Sequence, residues 1–296
     1  MARVEAAFAP EEIATSEGWG TTLRRFAREK PLGAAGAALM IITILAAICA
    51  PLISPTDPLS TNPHNALMNP SSQYLLGSDW LGRDTLSRII YGARTSVYVG
   101  FLATLLGTLA GSLLNVFSAY KGGTVDILVQ RVMDVLLAFP TLIMALAIMA
   151  VLGTSIHNTI IAIAIPFIPR AGRVVRSAAL TVKESQYVEV SQAVGCSSLR
   201  IIVRHVIPNC TAPYLIIASA LLGSAILVEA SLSFLGLGVD PQTPSWGSSL
   251  AEAMEFWEES PWLAIFPGIA LSLAIFGVNL LGDALRDVLD PRLKQL

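Results

Sequence analysis

From Leu32 to Ile53 the chain carries no charged side chain. A bilayer's hydrocarbon core takes about 20 apolar residues in helical form, so this run alone is long enough to cross one. Comparable runs recur at about 96–119, 132–152, 156–168, 212–235 and 262–281. In hydrocarbon every backbone N–H and C=O must find a partner within the protein, and helices achieve this segment by segment. The pattern predicts an all-α, polytopic membrane protein with six transmembrane helices. Composition agrees: 14% of residues are charged, against roughly 25% in soluble domains. The net charge of −2 gives no bulk attraction to nucleic acid.

The segments between the runs have their own character. Residues 54–69 are rich in Pro and Asn and read as a loop. Gly82 to Arg94 spaces Arg83, Asp84, Arg88 and Arg94 among Leu86, Ile89, Ile90 and Tyr91, the pattern of a short amphipathic helix at the membrane surface. The second run contains Gly107-x-x-x-Gly111, a spacing that lets helices approach closely. Pro140 interrupts the third run, and Pro166 and Pro169 fall near the end of the fourth. A polar, basic stretch follows, about 170–211, and an acidic one at 239–261. At the start, Arg24, Arg25, Arg28 and Lys30 precede an apolar run too long for a signal peptide, which predicts a retained first span.

Charge asymmetry fixes the orientation. With both termini cytoplasmic, all of the 19 Lys and Arg residues except Arg83, Arg88 and Arg94 fall inside. The outer stretch 239–261 holds Asp240, Glu252, Glu255, Glu258 and Glu259 with no Lys or Arg. Trp246, Trp257 and Trp262 are placed to anchor it at the outer interface.

Several chemistries lack their residues. No Gly-Lys pair exists, which excludes a phosphate-cradling P-loop on this chain. His64, His157 and His205 are far apart and none begins a zinc motif. No Gly-x-Ser-x-Gly occurs. Cys49, Cys196 and Cys210 have no C-x-x-C spacing and read as small apolar residues. Carboxylates within or near spans are Asp134, Glu229 and Asp283, each readable as a pathway group or as a structural carboxylate bonded to a neighbouring helix.

The inner stretch Tyr187 to Asn209 reads as two short helices with a bend at Gly195, where glycine tolerates a positive φ. Ser197 or Ser198 is placed to cap the second. Val188, Ala193, Val194, Leu199 and Ile202 offer an apolar face, and Glu189, Arg200 and Arg204 offer charge. An element too short to fold alone needs a surface to pack on, either lipid or a partner protein.

At these residues the chain resembles the permease subunits of ATP-binding-cassette importers, whose signature is Glu-Ala-Ala, three residues, Gly, nine residues, Ile-x-Leu-Pro. Glu189, Gly195 and Pro208 match at this spacing, with Ile207 for the leucine. Val190 and Ser191 replace the alanines, and His205 stands at the isoleucine position. The stretches 76–94, 204–209, 229–238, 244–247 and 279–292 are similar to the C-type subunit of the dipeptide, oligopeptide and nickel branch. The resemblance implies the type I permease fold in a bacterial cytoplasmic (inner) membrane. It implies a second permease subunit, two ATP-binding subunits and an extracytoplasmic substrate-binding protein as partners. ATP and Mg would then sit on the ATPase subunits, with no cofactor, metal or catalytic residue on this chain. Residues expected to couple to the ATPase are Tyr187, Glu189, Ala193, Gly195, Arg200, Arg204, His205 and Pro208. Glu229, Asn279 and Asp283 are the candidates for the pathway or its gate. The division expected is a cytoplasmic segment 1–31, a first span with outer loop and amphipathic helix 32–95, a five-helix core 96–283 carrying the coupling loop 184–208, and a tail 284–296. The alternative is an ion-coupled carrier acting alone, with helices broken at Pro140 and Pro166.

Overall fold

The structure, a computed structural model, describes residues 27–289. Most of the expected segments 1–31 and 284–296 therefore lies outside the described residues. Helices α1 (Pro31–Ile48) and α2 (Ala50–Ile53) are followed by an irregular outer segment and then α3 (Thr85–Lys121), α4 (Gly123–Leu137), α5 (Thr141–Leu152) and α6 (Ile156–Lys183). On the inner side come α7 (Gln186–Ala193), α8 (Ser198–Ile201), a π turn (Ile202–Val206) and α9 (Ile207–Asn209). The chain closes with α10 (Thr211–Phe234), α11 (Trp246–Met254) and α12 (Trp262–Leu289). No strand is present among the described residues, only an isolated bridge between Ser78 and Asp84.

Among the described residues, α1, α3, α6, α10 and α12 are each long and apolar enough to cross a bilayer. A sixth crossing needs α4 and α5 together, bent by 90°. The third span read as 132–152 is thus not a straight helix. Pro140 disfavours the helical region for the residue before it, so α4 stops at Leu137. The 12 residues of α5 rise only about 18 Å, short of the roughly 30 Å core.

Two further expectations are corrected. Gly82 to Arg94 is no separate surface helix, because α3 runs unbroken from Thr85 to Lys121 with Asp84 capping it through the Ser87 amide at 2.8 Å. The basic stretch read as a loop from 170 is helical as far as Lys183, with Pro166 and Pro169 both inside α6.

The centre of the bundle is α3 against α6. A Cβ on Gly107 would lie 2.5 Å from the Ala164 carbonyl oxygen and 2.9 Å from Phe167 Cβ, and one on Gly111 would run into the Ile168 carbonyl. Only glycine lets these backbones meet. Val99, Ala103, Met149, Ile163, Phe167, Ala225 and Leu232 fill the core around that crossing. α10 packs on α3 and α12, and α1 lies along α12 and meets α3, with Met40 and Ala47 in one cluster with Ile226 and Ala230 of α10.

Candidate functional site

The inner loop is built on the cytoplasmic ends of α3 and α6. Both helices exceed the bilayer core: the 28 residues of α6 span about 42 Å. Their last turns present Val116, Ala119, Val175 and Ala179, and against these the loop buries Val188, Ile201, Ile202, Val206 and Cys210. The π turn, one residue wider than an α turn, accompanies this inward placement of both Ile202 and Val206. Lys183 Nζ donates to the Ala119 carbonyl at 3.1 Å and lies over the Tyr120 ring. Gln192 Nε2 donates to Tyr120 Oη at 3.3 Å.

Gly195 has φ +86°, and nothing lies within 4 Å of where its Cβ would be. The position demands glycine through its backbone alone. The Gly195 and Cys196 amides donate to the Gln192 and Ser191 carbonyls at 2.9 and 3.0 Å, closing α7 before the chain turns into α8. Ser197 stands at the N-cap of α8, but its side chain makes no capping bond. Tyr187 and His205, 18 positions apart in sequence, meet with ring centroids 5.9 Å apart. Burial pushes the Cys210 thiol up to about 11, so it stays protonated near neutral pH.

The apolar residues of this loop do not form one face. Val188 and Ile202 turn inward, whereas Val194 (77% exposed), Leu199 (70%) and Val190 (60%) point away from the bundle with Tyr187 and Val203. Ala193, Glu189, Arg200, Arg204 and Pro208 are exposed beside them. Glu189, Arg200 and Arg204 form no ion pair among the described residues. Of the coupling residues named from the sequence, Tyr187 and His205 are brought into contact, and Tyr187, Glu189, Ala193, Gly195, Arg200, Arg204 and Pro208 are exposed on the same short segment.

The pathway candidates are not brought together. Glu229 is fully buried where α10 meets α3 and α11; it accepts from Ser233 Oγ at 2.9 Å, with Ser96 and Ser245 beside it. Asn279 and Asp283 lie exposed on α12. Asp134 is held by Arg173 at 2.6 Å, and Asp126 by Arg176 at 2.5 Å, fastening α4 to α6.

The sequence reading missed a buried ion network on the outer side. Arg83 Nε contacts Asp79 at 2.6 Å, and its Nη2 contacts Glu252 at 2.6 Å. Arg88 Nη2 reaches the other Glu252 oxygen at 2.9 Å. The two arginine side chains are only 8% and 4% exposed. Burial pushes the Glu252 carboxyl up against the pull of Arg88 and Arg83. Trp246, expected at the interface, is buried instead and donates Nε1–H to the Ile89 carbonyl at 3.1 Å. The signal was available: the three arginines assigned to the outside share that side with an acidic stretch lacking any Lys or Arg.

Residues 76–295 match the family described as "Binding-protein-dependent transport system inner membrane component". The chain belongs to this family. Residues 19–70 match the N-terminal transmembrane domain of oligopeptide transport permease C. The dipeptide transport system permease protein DppC of Alkalihalophilus pseudofirmus is 43% identical over 258 residues, 86% of this chain and 85% of that protein. The di/tripeptide transport system permease protein DppC of Pseudomonas aeruginosa is 41% identical over 277 residues, 91% and 90% of the two chains. The glutathione transport system permease protein GsiD of Escherichia coli is 40% identical over 286 residues, 96% and 93%. Family and apolar helices together make this a multi-pass inner-membrane permease, a transport protein rather than an enzyme.

Proposed function

We propose that this chain is the C-type permease subunit of an ATP-driven importer for di- or oligopeptides or a closely related small solute, the substrate class named for its relatives. It works with a sister permease, two ATPase subunits and an extracytoplasmic binding protein. ATP and Mg²⁺ belong to the ATPase subunits. The observation that carries this reading is the outward patch of Tyr187, Val190, Val194, Leu199 and Val203, left uncovered on a loop whose other face is locked to α3 and α6. Such a loop moves with the helix ends that hold it. A push from a partner engaging the patch therefore enters the bundle as a shift of α3 and α6, and two discrete packings of those helices give outward and inward access.

The test is assembly and uptake by the complete five-subunit importer in proteoliposomes. Val194→Asp and Leu199→Asp place a charge on exposed positions, so this chain still folds and inserts, while ATPase subunits fail to copurify and ATP-driven uptake of a dipeptide is lost. Unchanged assembly and uptake in both variants refutes the reading. So does uptake by the purified chain alone under an ion gradient.

A further inference from the structure

Along the inner half of α3 the buried polar side chains bond back to their own helix. Thr104 and Thr108 donate to the Gly100 and Thr104 carbonyls at 2.8 and 2.7 Å, and Asn115 Nδ2 donates to the Gly111 carbonyl at 2.9 Å. Ser112 does not follow them. It is only 6% exposed, and its Oγ has no hydrogen-bond partner among the described residues. A buried hydroxyl left unpaired costs about 1–3 kcal/mol. Ser112 borders a cleft of about 200 Å³, with Leu109 and Leu113 beside it on one wall and Ile207, Cys210 and Tyr214 on the other. An apolar cavity of about 150 Å³ already takes benzene.

The cleft opens past Leu109 and Leu113, which are 42% and 47% exposed, onto the outward face of α3. From Tyr98 to Phe117 every exposed residue of that face is aromatic, leucine or alanine, a surface that acyl chains satisfy. Its depth is specific. α3 is about 55 Å long and exceeds the roughly 30 Å hydrocarbon core by about 25 Å. With that excess shared between its two ends, the inner boundary of the core falls about eight residues before Lys121, level with Leu113. α10 has 24 residues, about 36 Å, and the same reckoning puts the boundary about two residues past Thr211, next to Tyr214. Both walls of the cleft therefore stand where hydrocarbon gives way to the ester groups of glycerolipids. Tyr214 suits that level, because its ring is amphipathic.

We propose that this cleft is a lipid site, which takes one acyl chain of an inner-leaflet phospholipid and gives the ester carbonyl of that chain a hydrogen bond from Ser112 Oγ. The chain supplies the apolar contact, and the carbonyl is the acceptor that the hydroxyl lacks. The floor of the cleft is Val116 and Val175, the same pair against which the inner loop is seated. A bound chain thus packs into the joint between α10 and the ends of α3 and α6, beneath the loop. Binding concerns this chain alone; that the joint carries force rests on the importer reading above.

Photolabelling of the complete importer in proteoliposomes tests it. The vesicles are phosphatidylethanolamine and phosphatidylglycerol, with a trace of phosphatidylglycerol carrying a diazirine near the carbonyl end of one acyl chain, and labelled peptides are mapped by mass spectrometry. Labels are expected to be several-fold denser on 109–116 and 207–214 than on the exposed face of α1 at 41–48. They should fall by about threefold or more, the worth of one net hydrogen bond, in Ser112→Ala and again when the probe's chain is joined by an ether in place of the ester. The ether probe needs no substitution, so it decides the matter even where the variant fails to fold. Labelling no denser at the cleft than along α1 overturns the proposal, and a cleft shut by the sister permease gives that same result. Equal labelling by the ester and ether probes, or by folded Ser112→Ala, overturns it too. ATP-driven dipeptide uptake is measured on the same vesicles. A labelled cleft without uptake faults the importer reading and upholds the lipid site, whereas uptake with an unlabelled cleft faults only the site.

Discussion

Glu252 receives two arginines, at 2.6 Å from Arg83 and 2.9 Å from Arg88, and replacing it by glutamine leaves both guanidinium groups buried with only Asp79 to balance them. Breaking a buried pair by removing one partner typically costs about 3–5 kcal/mol. The Glu252 side chain retains 26% exposure, so water screens part of the loss and the expected cost is toward the lower end, about 3 kcal/mol. At roughly 2–4 °C per kcal/mol for a large domain, the apparent melting temperature falls by about 6–12 °C. The assay is thermal melting of the detergent-purified protein at one fixed scan rate, since membrane-protein unfolding is commonly irreversible. Glu258→Gln, exposed on the same acidic stretch, serves as control and shifts the midpoint by no more than about 2 °C. The double variant Arg88→Met with Glu252→Leu leaves the Asp79–Arg83 pair at 2.6 Å charge-balanced. It therefore recovers much of the loss, because replacing a buried pair wholesale by apolar groups is often close to neutral. A Glu252→Gln shift no larger than the control, or a double variant with fully additive losses, refutes the picture of a mutually dependent buried network.

Other perturbations have equally definite outcomes. Gly111→Val drives side-chain carbon into the Ile168 carbonyl, so the yield of folded protein should collapse, whereas Gly268→Ala, whose nearest neighbour would be Leu250 at 3.8 Å, should leave it unchanged; size-exclusion profiles decide. Gly195→Ala strains the backbone by about 1–2 kcal/mol at a left-handed position without a steric clash; the melting midpoint should fall by about 2–8 °C and ATP-driven uptake should fall with it, and normal uptake would count against the turn's importance. Asp126→Asn removes the carboxylate that Arg176 holds at 2.5 Å, and proteolysis between α4 and α5 should accelerate as α4 loosens. Alkylation of Cys210 should quicken about tenfold per pH unit between pH 8 and 10, since its thiol is pushed up to about 11; a rate that plateaus by pH 9 contradicts that.

The long apolar runs made five of the crossings legible, because a bilayer imposes length and composition on each segment independently. The sixth was legible as an apolar run interrupted at Pro140, but not as a pair of helices bent by 90°. Its bend depends on the geometry of Phe139–Pro140, which a hydropathy window averages away. The start of α3 was misread because Arg83 and Arg88 look solvent-facing to any periodicity argument. Their partner Glu252 is more than 160 residues away in the chain, and burial by pairing leaves no local trace. The turn at Gly195 was visible, since one residue type serves that backbone. The sorting of Val188 and Ile202 inward and Val190, Val194 and Leu199 outward was not, because it depends on where the ends of α3 and α6 stand.

The 37 residues of α3 form one uninterrupted rod, about 55 Å long at 1.5 Å per residue. Its outer tip is clamped by the Arg88–Glu252 contact and its inner tip carries Val116 and Ala119 beneath the loop. A rod of that kind neither stretches nor buckles readily, so it acts as a push-rod between two ends that share no solvent, no ligand and no direct contact. A tilt of about 5° pivoting at one tip carries the other by about 5 Å. Tightness at the Gly107–Gly111 crossing with α6 then sets where the fulcrum lies. In the importer proposed above, work done on the inner tip reaches the outer mouth as leverage, with its reach fixed by the length of a single helix.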